Sequence, residues 1–197
     1  MARRTFFSFH YDLDVSRAQV VKNSWVAKPN REQAGFFDGS VIENRRRQGG
    51  DVLKRFLTEA LDGASVTCVL MGAETYLRPW VRYELVRSFQ QGKGMLGVWI
   101  NAIKNLRGET ATAGGNSFDY LAFRVANDRV YWQEKNGEQW TNYDAVPSMA
   151  LADVAYDLGG RTHHTFSTLF RVHRWVADNG YENLGSWVET AATQAGR

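Results

Sequence analysis

Sulfur chemistry is nearly absent from this chain, which has one cysteine in 197 residues. That excludes an intramolecular disulfide and any metal site built from several cysteines. Cys68 lies in the apolar run Val66–Met71 and reads as a packing residue. No stretch approaches the ~18 apolar residues of a membrane span. Phe6-Phe7-Ser8-Phe9 follows Arg3 and Arg4 but is broken at once by His10, too short for a signal-peptide core. A soluble, cytoplasmic protein with no membrane partner is expected. Charge of one sign is also scarce: 24 basic residues face 21 acidic ones, a net charge of +3. This is no nucleic-acid footprint, although it suits an anionic small molecule. Neither Gly-x-Gly-x-x-Gly nor Gly-x-x-x-x-Gly-Lys occurs, which disfavours a dehydrogenase or a P-loop enzyme. His163 and His164 lack a carboxylate at ligand spacing, so no metal is expected. Arg45-Arg46-Arg47 reads as a solvated charge run.

What is present is a core. Hydrophobic residues make up 44% of the chain and charged residues 23%. Seven Trp, eight Tyr and eleven Phe read first as core filling and second as a surface for flat ligands.

Strand and helix patterns alternate through the first half. Thr5–Tyr11 reads as a strand that runs into a polar loop with Asp12 and Asp14, and Ser16 caps a helix to about Trp25. Phe36-Phe37 reads as a short second strand before Asp38-Gly39-Ser40. Asp51 caps a helix striped by Val52, Leu53, Phe56, Leu57, Ala60 and Leu61, which Asp62-Gly63 stops. Ser65–Met71 is apolar throughout, as a strand covered on both faces would be. Pro79 opens a helix to about Gln91, and Met95–Ile103 is another apolar strand. Four such alternations imply an α/β fold with an open, mostly parallel sheet flanked by helices.

The second half is less regular. Gly108–Ser117 is a polar loop, Arg129–Gln133 and Gln139–Thr141 flank an Asn136-Gly137 hairpin signal, and Thr165 starts a final amphipathic helix. A hairpin insertion and a C-terminal helix over about 118–190, added to a core of about 4–110, suit one domain over 1–197 better than two.

Glu84 stands out. On a helical wheel it falls inside the apolar arc of the helix after Pro79, between Trp80 and Ser88, about one turn to either side. A buried carboxylate must be paired, protonated or facing a cavity. An arginine partner or a backbone hydrogen bond would satisfy it as well as a function would. Its place near the carboxyl edge of a parallel sheet favours function, because open α/β sheets bind ligands there. The first strand delivers Ser8, Phe9 and His10 to the same edge, and the second delivers Asp38. His10 could orient a phosphate or a ribose; Trp80 and the Ser8–His10 strand end could form a stacking wall. A lone Glu among aromatic residues fits glycosyl chemistry, in which a carboxylate stabilises or traps an oxocarbenium-like centre. NAD⁺ fits this chemistry, because nicotinamide leaves as a neutral base.

These residues carry a resemblance. Phe6-Phe7-Ser8-Phe9-His10-Tyr11-Asp12-Leu13-Asp14 with Arg17 resembles the opening strand and loop of TIR domains. Trp80-Val81-Arg82-Tyr83-Glu84 resembles the Trp-x-x-x-Glu signature of enzymatic TIR domains, with Val81 where a cysteine is often found. Gly35-Phe36-Phe37-Asp38, Ser65–Leu70 and Trp175-Val176-Ala177-Asp178 are similar to the bacterial branch that includes the TIR subunit of the Thoeris anti-phage defence system.

The resemblance implies a flavodoxin-like TIR fold with a β-hairpin insertion and a C-terminal helix. It implies cleavage of NAD⁺ at the nicotinamide–ribose bond and formation of a cyclic ADP-ribose-type signal for a separate effector protein. By position Glu84 would be catalytic, and Ser8, Phe9, His10, Asp38, Trp80 and Arg82 would bind substrate, with no cofactor and no metal. A phage component as trigger and a neighbouring protomer completing the site, hence a homo-oligomer, also follow from it. The Arg-Asp-x-x-Pro-Gly loop signature of animal TIR adaptors is absent. Two other functions stay open: a docking-only TIR module, and an enzyme like the nucleoside deoxyribosyltransferases, which share the topology and a carboxylate acting on an N-riboside.

Overall fold

The computed structural model describes residues 3–27, 31–34 and 49–197. In chain order the first half gives β1 (Arg3–Phe9), α1 (Tyr11–Val26), β2 (Arg31–Ala34), α2 (Gly50–Asp62), β3 (Val66–Met71), α3 (Pro79–Gln90) and β4 (Gly94–Trp99). The second half gives β5 (Leu121–Ala126), β6 (Arg129–Asn136), β7 (Gln139–Asn142), β8 (Met149–Ala150), β9 (His163–Thr165), β10 (Arg171–Arg174) and α4 (Gly180–Gln194). The first sheet has the order β10-β4-β3-β1-β2, with every pair parallel. That is an open, flavodoxin-like α/β arrangement, as the strand and helix alternation implies. Its two central strands are apolar: all six residues of β3 are buried, as are five of six in β4.

Each face of this sheet is covered. Phe7, Cys68, Leu70, Leu96 and Val98 pack under α1 (Ala18, Val21, Trp25) and α4 (Leu184, Val188, Ala192). Val69, Met71 and Met95 pack under Leu53 and Leu57 of α2 and under α3. A second, antiparallel sheet, β7-β6-β5-β9 with β8 on β6, lies against the outer side of α3. The aromatic excess is spent there. Phe89 of α3 has ring centroids of Phe123, Trp132, Tyr156 and Phe166 within 4.7–5.5 Å.

Several expectations are corrected. No polar loop follows β1: α1 begins at Tyr11, with Asp12 and Asp14 favourably placed in its first turn, and Ser16 lies inside it. Asp51 is likewise in the first turn of α2, whose cap is Gly49 at φ 123°. The second strand described is Arg31–Ala34, while Phe36-Phe37, Asp38 and Arg45-Arg46-Arg47 lie outside the described residues. β4 ends at Trp99, and residues 101–103 form a turn.

The largest change concerns residues 165–176. Phe166–Thr168 is a short 3₁₀ turn, and Arg171–Arg174 is the fifth parallel strand, paired to β4 from Arg171↔Leu96 to Arg174↔Trp99. Strand alternation there sends Val172 toward Gly97 and His173 onto Trp187 at 4.1 Å between centroids. The C-terminal helix is Gly180–Gln194 instead. The hairpin at Gly137 forms as the sequence suggests, closed by Asn136↔Gln139, and is joined by three further short strands.

Candidate functional site at the carboxyl edge of the first sheet

Glu84 is the centre of the site. α3 is buried almost all round, through Val81, Tyr83, Leu85, Val86, Ser88 and Phe89, because the first sheet covers one side and the second sheet the other. Ser88 fixes the rotation of the helix. Its hydroxyl donates to the Glu84 carbonyl at 2.7 Å and meets the Thr67 hydroxyl on β3 at 2.7 Å. Glu84 then reaches β1, where the Ser8 hydroxyl donates to its Oε2 at 2.5 Å.

No basic side chain among the described residues pairs with Glu84, which is 7% exposed. The sequence left open whether an arginine satisfies it; a serine does. Loss of water pushes the carboxyl pKa up to about 8, and the Ser8 hydrogen bond to the ionised form offsets only part of that. The Glu84 carboxyl is therefore protonated at neutral pH in the folded protein.

A stability consequence follows. Unfolded, this group titrates at 4.5, and folded at about 8. Between those values the folded protein holds the extra proton, so this group makes stability fall as pH rises through the window. Glu84→Gln is always neutral and lacks that slope. Thermal melts at pH 5 and pH 9 should show the variant gaining on wild type at the higher pH. A constant difference would place the titration elsewhere.

Strand alternation sorts the other β1 candidates. Ser8 and His10 share the α3 face, whereas Phe9 packs with the cluster under α1 and α4 and tilts against Tyr11. His10 is 8% exposed; its Nε2 lies 3.7 Å from Asp12 Oδ2, and Nδ1 has no partner among the described residues. Burial first, then the Arg78 charge, lower its pKa, against Asp12 and Glu74. Trp80 and Arg82 line a cavity of about 390 Å³ with Tyr83, Tyr143 and Glu134. Arg82 is already engaged there, donating to Glu134 at 2.5 Å. Glu84, Ser8 and His10 are not among the residues lining this cavity, so the structure sets Trp80 and Arg82 on the side of α3 toward the second sheet. Asp38 lies outside the described residues.

Two groups that sequence reasoning missed hold the edge in shape. Asp14, 1% exposed, lies 3.5 Å from the Thr75 hydroxyl and 3.6 Å from Arg17, and burial raises its pKa to about 6. It presses on Gly72, where a Cβ would come within 2.0 Å of its carboxylate. Arg17 in turn donates to the Ile103 and Glu109 carbonyls and ties down the loop after β4. The other is Arg78, the cap of α3, paired with Glu74. Asn101 lines a separate cavity of about 350 Å³ with Trp99 and Arg174, while Arg107 is exposed. His164 stacks on Phe123 at 5.1 Å between centroids in the second sheet, away from the edge.

A parallel sheet of order 2-1-3-4-5, with Glu84 the one buried glutamate among the described residues and Trp80 one turn before it, is the arrangement expected of a TIR-type domain. Residues 6–105 match the family described as "Thoeris protein ThsB, TIR-like domain". The chain is also 39% identical, over 191 residues, to a protein of Bacillus cereus (strain MSX-D12) named "Putative cyclic ADP-D-ribose synthase ThsB1"; the match covers 95% of this chain and 100% of that one. The chain belongs to the ThsB TIR-like family. Among the described residues, no helix is long and apolar enough to cross a membrane.

Proposed function

We propose that this protein cleaves NAD⁺ at the nicotinamide–ribose bond and closes the ADP-ribosyl half into a cyclic ADP-ribose-type signal. The observation that carries the reading is the buried Glu84 carboxyl, unpaired with any basic side chain among the described residues and held by Ser8 toward the carboxyl edge. The name of the Bacillus cereus relative supports the same reaction.

The chemistry follows from charge. The bond between ribose C1 and the pyridinium nitrogen breaks, its electron pair goes to nitrogen, and nicotinamide leaves neutral. Positive charge then gathers on the ribose, and the Glu84 carboxylate, in a site of low dielectric, stabilises it. A hydroxyl or ring nitrogen of the same molecule's adenosine half attacks the ribose carbon, and one proton is released. Intramolecular attack is favoured by effective molarities that reach roughly 10⁵–10⁸ M in well-oriented systems. Ser8 positions the carboxyl, and NAD⁺ is a substrate, so the reaction needs neither cofactor nor metal. The nucleotide product would act on a separate effector protein, in a defence role triggered by a phage component, and a neighbouring protomer would complete the site.

Incubation with NAD⁺ or with deoxynucleosides, followed by chromatography, tests the reading. Nicotinamide should appear, with kcat/KM rising with pH to a plateau above about 8, where Glu84 is ionised in the free protein. Base exchange on deoxynucleosides without attack on NAD⁺ would instead make it a deoxyribosyltransferase-like enzyme. Inertness to both would leave a docking module, which has no use for a buried carboxyl at this edge.

A further inference from the structure

Two buried atoms on the elements that carry Ser8 and Glu84 lack hydrogen-bond partners among the described residues: Nδ1 of His10, two residues beyond Ser8, and Nε of Arg78, the cap of the Glu84 helix. Buried polar atoms are paired in the large majority of cases, so two orphans together call for a cause. Both belong to this site by position. The backbone stays extended through His10 (φ −82°, ψ 104°), so His10 stands on the same face as Ser8, two residues and about 6.6 Å nearer the carboxyl edge. Arg78 caps the helix that carries Glu84, and its charge acts on His10.

The polarity of each orphan can be read. The Asp12 carboxylate, 3.7 Å from His10 Nε2, only accepts and so favours the neutral tautomer with its proton on Nε2, which leaves Nδ1 as an acceptor. The Arg78 terminal nitrogen donates to Glu74, so its Nε–H is left as a donor. An unfilled acceptor and an unfilled donor thus lie at one end of the site. A phosphate offers acceptors alone and would leave His10 unsatisfied. A primary carboxamide offers an N–H and a carbonyl from one flat group and satisfies both.

We propose that His10 and Arg78 read the carboxamide of the nicotinamide leaving group, its N–H donating to His10 Nδ1 and its carbonyl accepting from Arg78 Nε. The proposal rests on the NAD⁺-cleaving reading above. The separation of His10 from the Ser8-held carboxyl suits it, since the pyridine ring spans the space between the ribose carbon and the carboxamide. The subsite orients the leaving group and selects an amide over a ketone or an acid.

The test compares NAD⁺ with 3-acetylpyridine adenine dinucleotide, which keeps the carbonyl and replaces the amino group by methyl. Wild-type protein should favour NAD⁺ in kcat/KM by more than intrinsic reactivity accounts for. His10→Ala should lower kcat/KM for NAD⁺ about tenfold, the size of one hydrogen bond at about 1.4 kcal/mol, and lower the analogue's far less. His10→Gln, whose amide oxygen accepts, should restore part of the preference. Arg78→Ala should lower both substrates, because both keep the carbonyl. The substrate ratio within one variant is unaffected by partial unfolding. An unchanged ratio in His10→Ala, with NAD⁺ still cleaved by wild type, would overturn the subsite alone. Wild-type protein that cleaves neither dinucleotide would overturn the reaction and the subsite with it.

Discussion

Glu84→Gln is expected to cut nicotinamide release from NAD⁺ by about 10² to 10⁴-fold, the usual worth of a positioned catalytic carboxylate. The protein should remain folded. The native carboxyl is already neutral below about pH 8, so glutamine replaces like with like in shape and charge. Its amide oxygen can still accept from Ser8, which donates to Glu84 at 2.5 Å. What glutamine cannot do is ionise as positive charge develops on the ribose. Rates should be compared at pH 8 or above, where the wild-type group is ionised, alongside thermal melts at neutral pH. Undiminished release by a folded variant would remove Glu84 from the chemistry.

Phe89→Ala should produce the largest loss of stability. Phe89 is fully buried, and its ring joins α3 to Phe123 and Trp132 of the second sheet and to Tyr156, Phe166 and Phe170. Truncating such a residue costs about 3–5 kcal/mol, the transfer of the ring plus the cavity left behind. Typical domains have only about 5–15 kcal/mol in total. We propose that the two sheets fold as one unit through this aromatic layer, so wild type and variant should each unfold in a single transition. Leu106→Ala, at a side chain 95% exposed, should shift the midpoint little. A small effect at Phe89, or two separated transitions, would mean that the sheets are independent.

Local pattern made much of the first sheet legible. The apolar run of β3, the proline that opens α3 and the stripe of α2 each state their element within a few residues, and the structure places them within a residue or two. Glu84 was legible for the same reason, as a charge on an apolar arc. Its partner was not: Ser8 is 76 positions away, and only the rotation of α3 set by Ser88 and Thr67 brings them together.

The wheel also hid something. At ~100° per residue Val86 and Tyr83 lie on the half of the wheel away from Glu84, with Arg82, Arg87 and Gln90, yet both are buried under a sheet built from residues 121–165 that no pattern in α3 announces. The stretch after Thr165 misled because Phe166, Leu169, Phe170 and His173 have helical spacing. Phe166 and Phe170 are buried in the aromatic layer from a turn and a loop end, while Val172 and His173 alternate across an edge strand. Arg78 carried no signal beyond standing before Pro79; its importance comes from Glu74, His10 and the cap position together.

The most direct test of the account is the mass of the nucleotide formed from NAD⁺ in water enriched in heavy oxygen. A cleft that excludes water and closes the ring on itself yields a product one water lighter than ADP-ribose, with no solvent oxygen, together with one nicotinamide per turnover. That is the expected result for wild-type protein, and it should be lost in Glu84→Gln. Linear ADP-ribose carrying the heavy oxygen as the sole product from the start of the reaction would mean that water, not adenosine, reaches the ribose carbon. Intact NAD⁺ above pH 8 would contradict the account at its root.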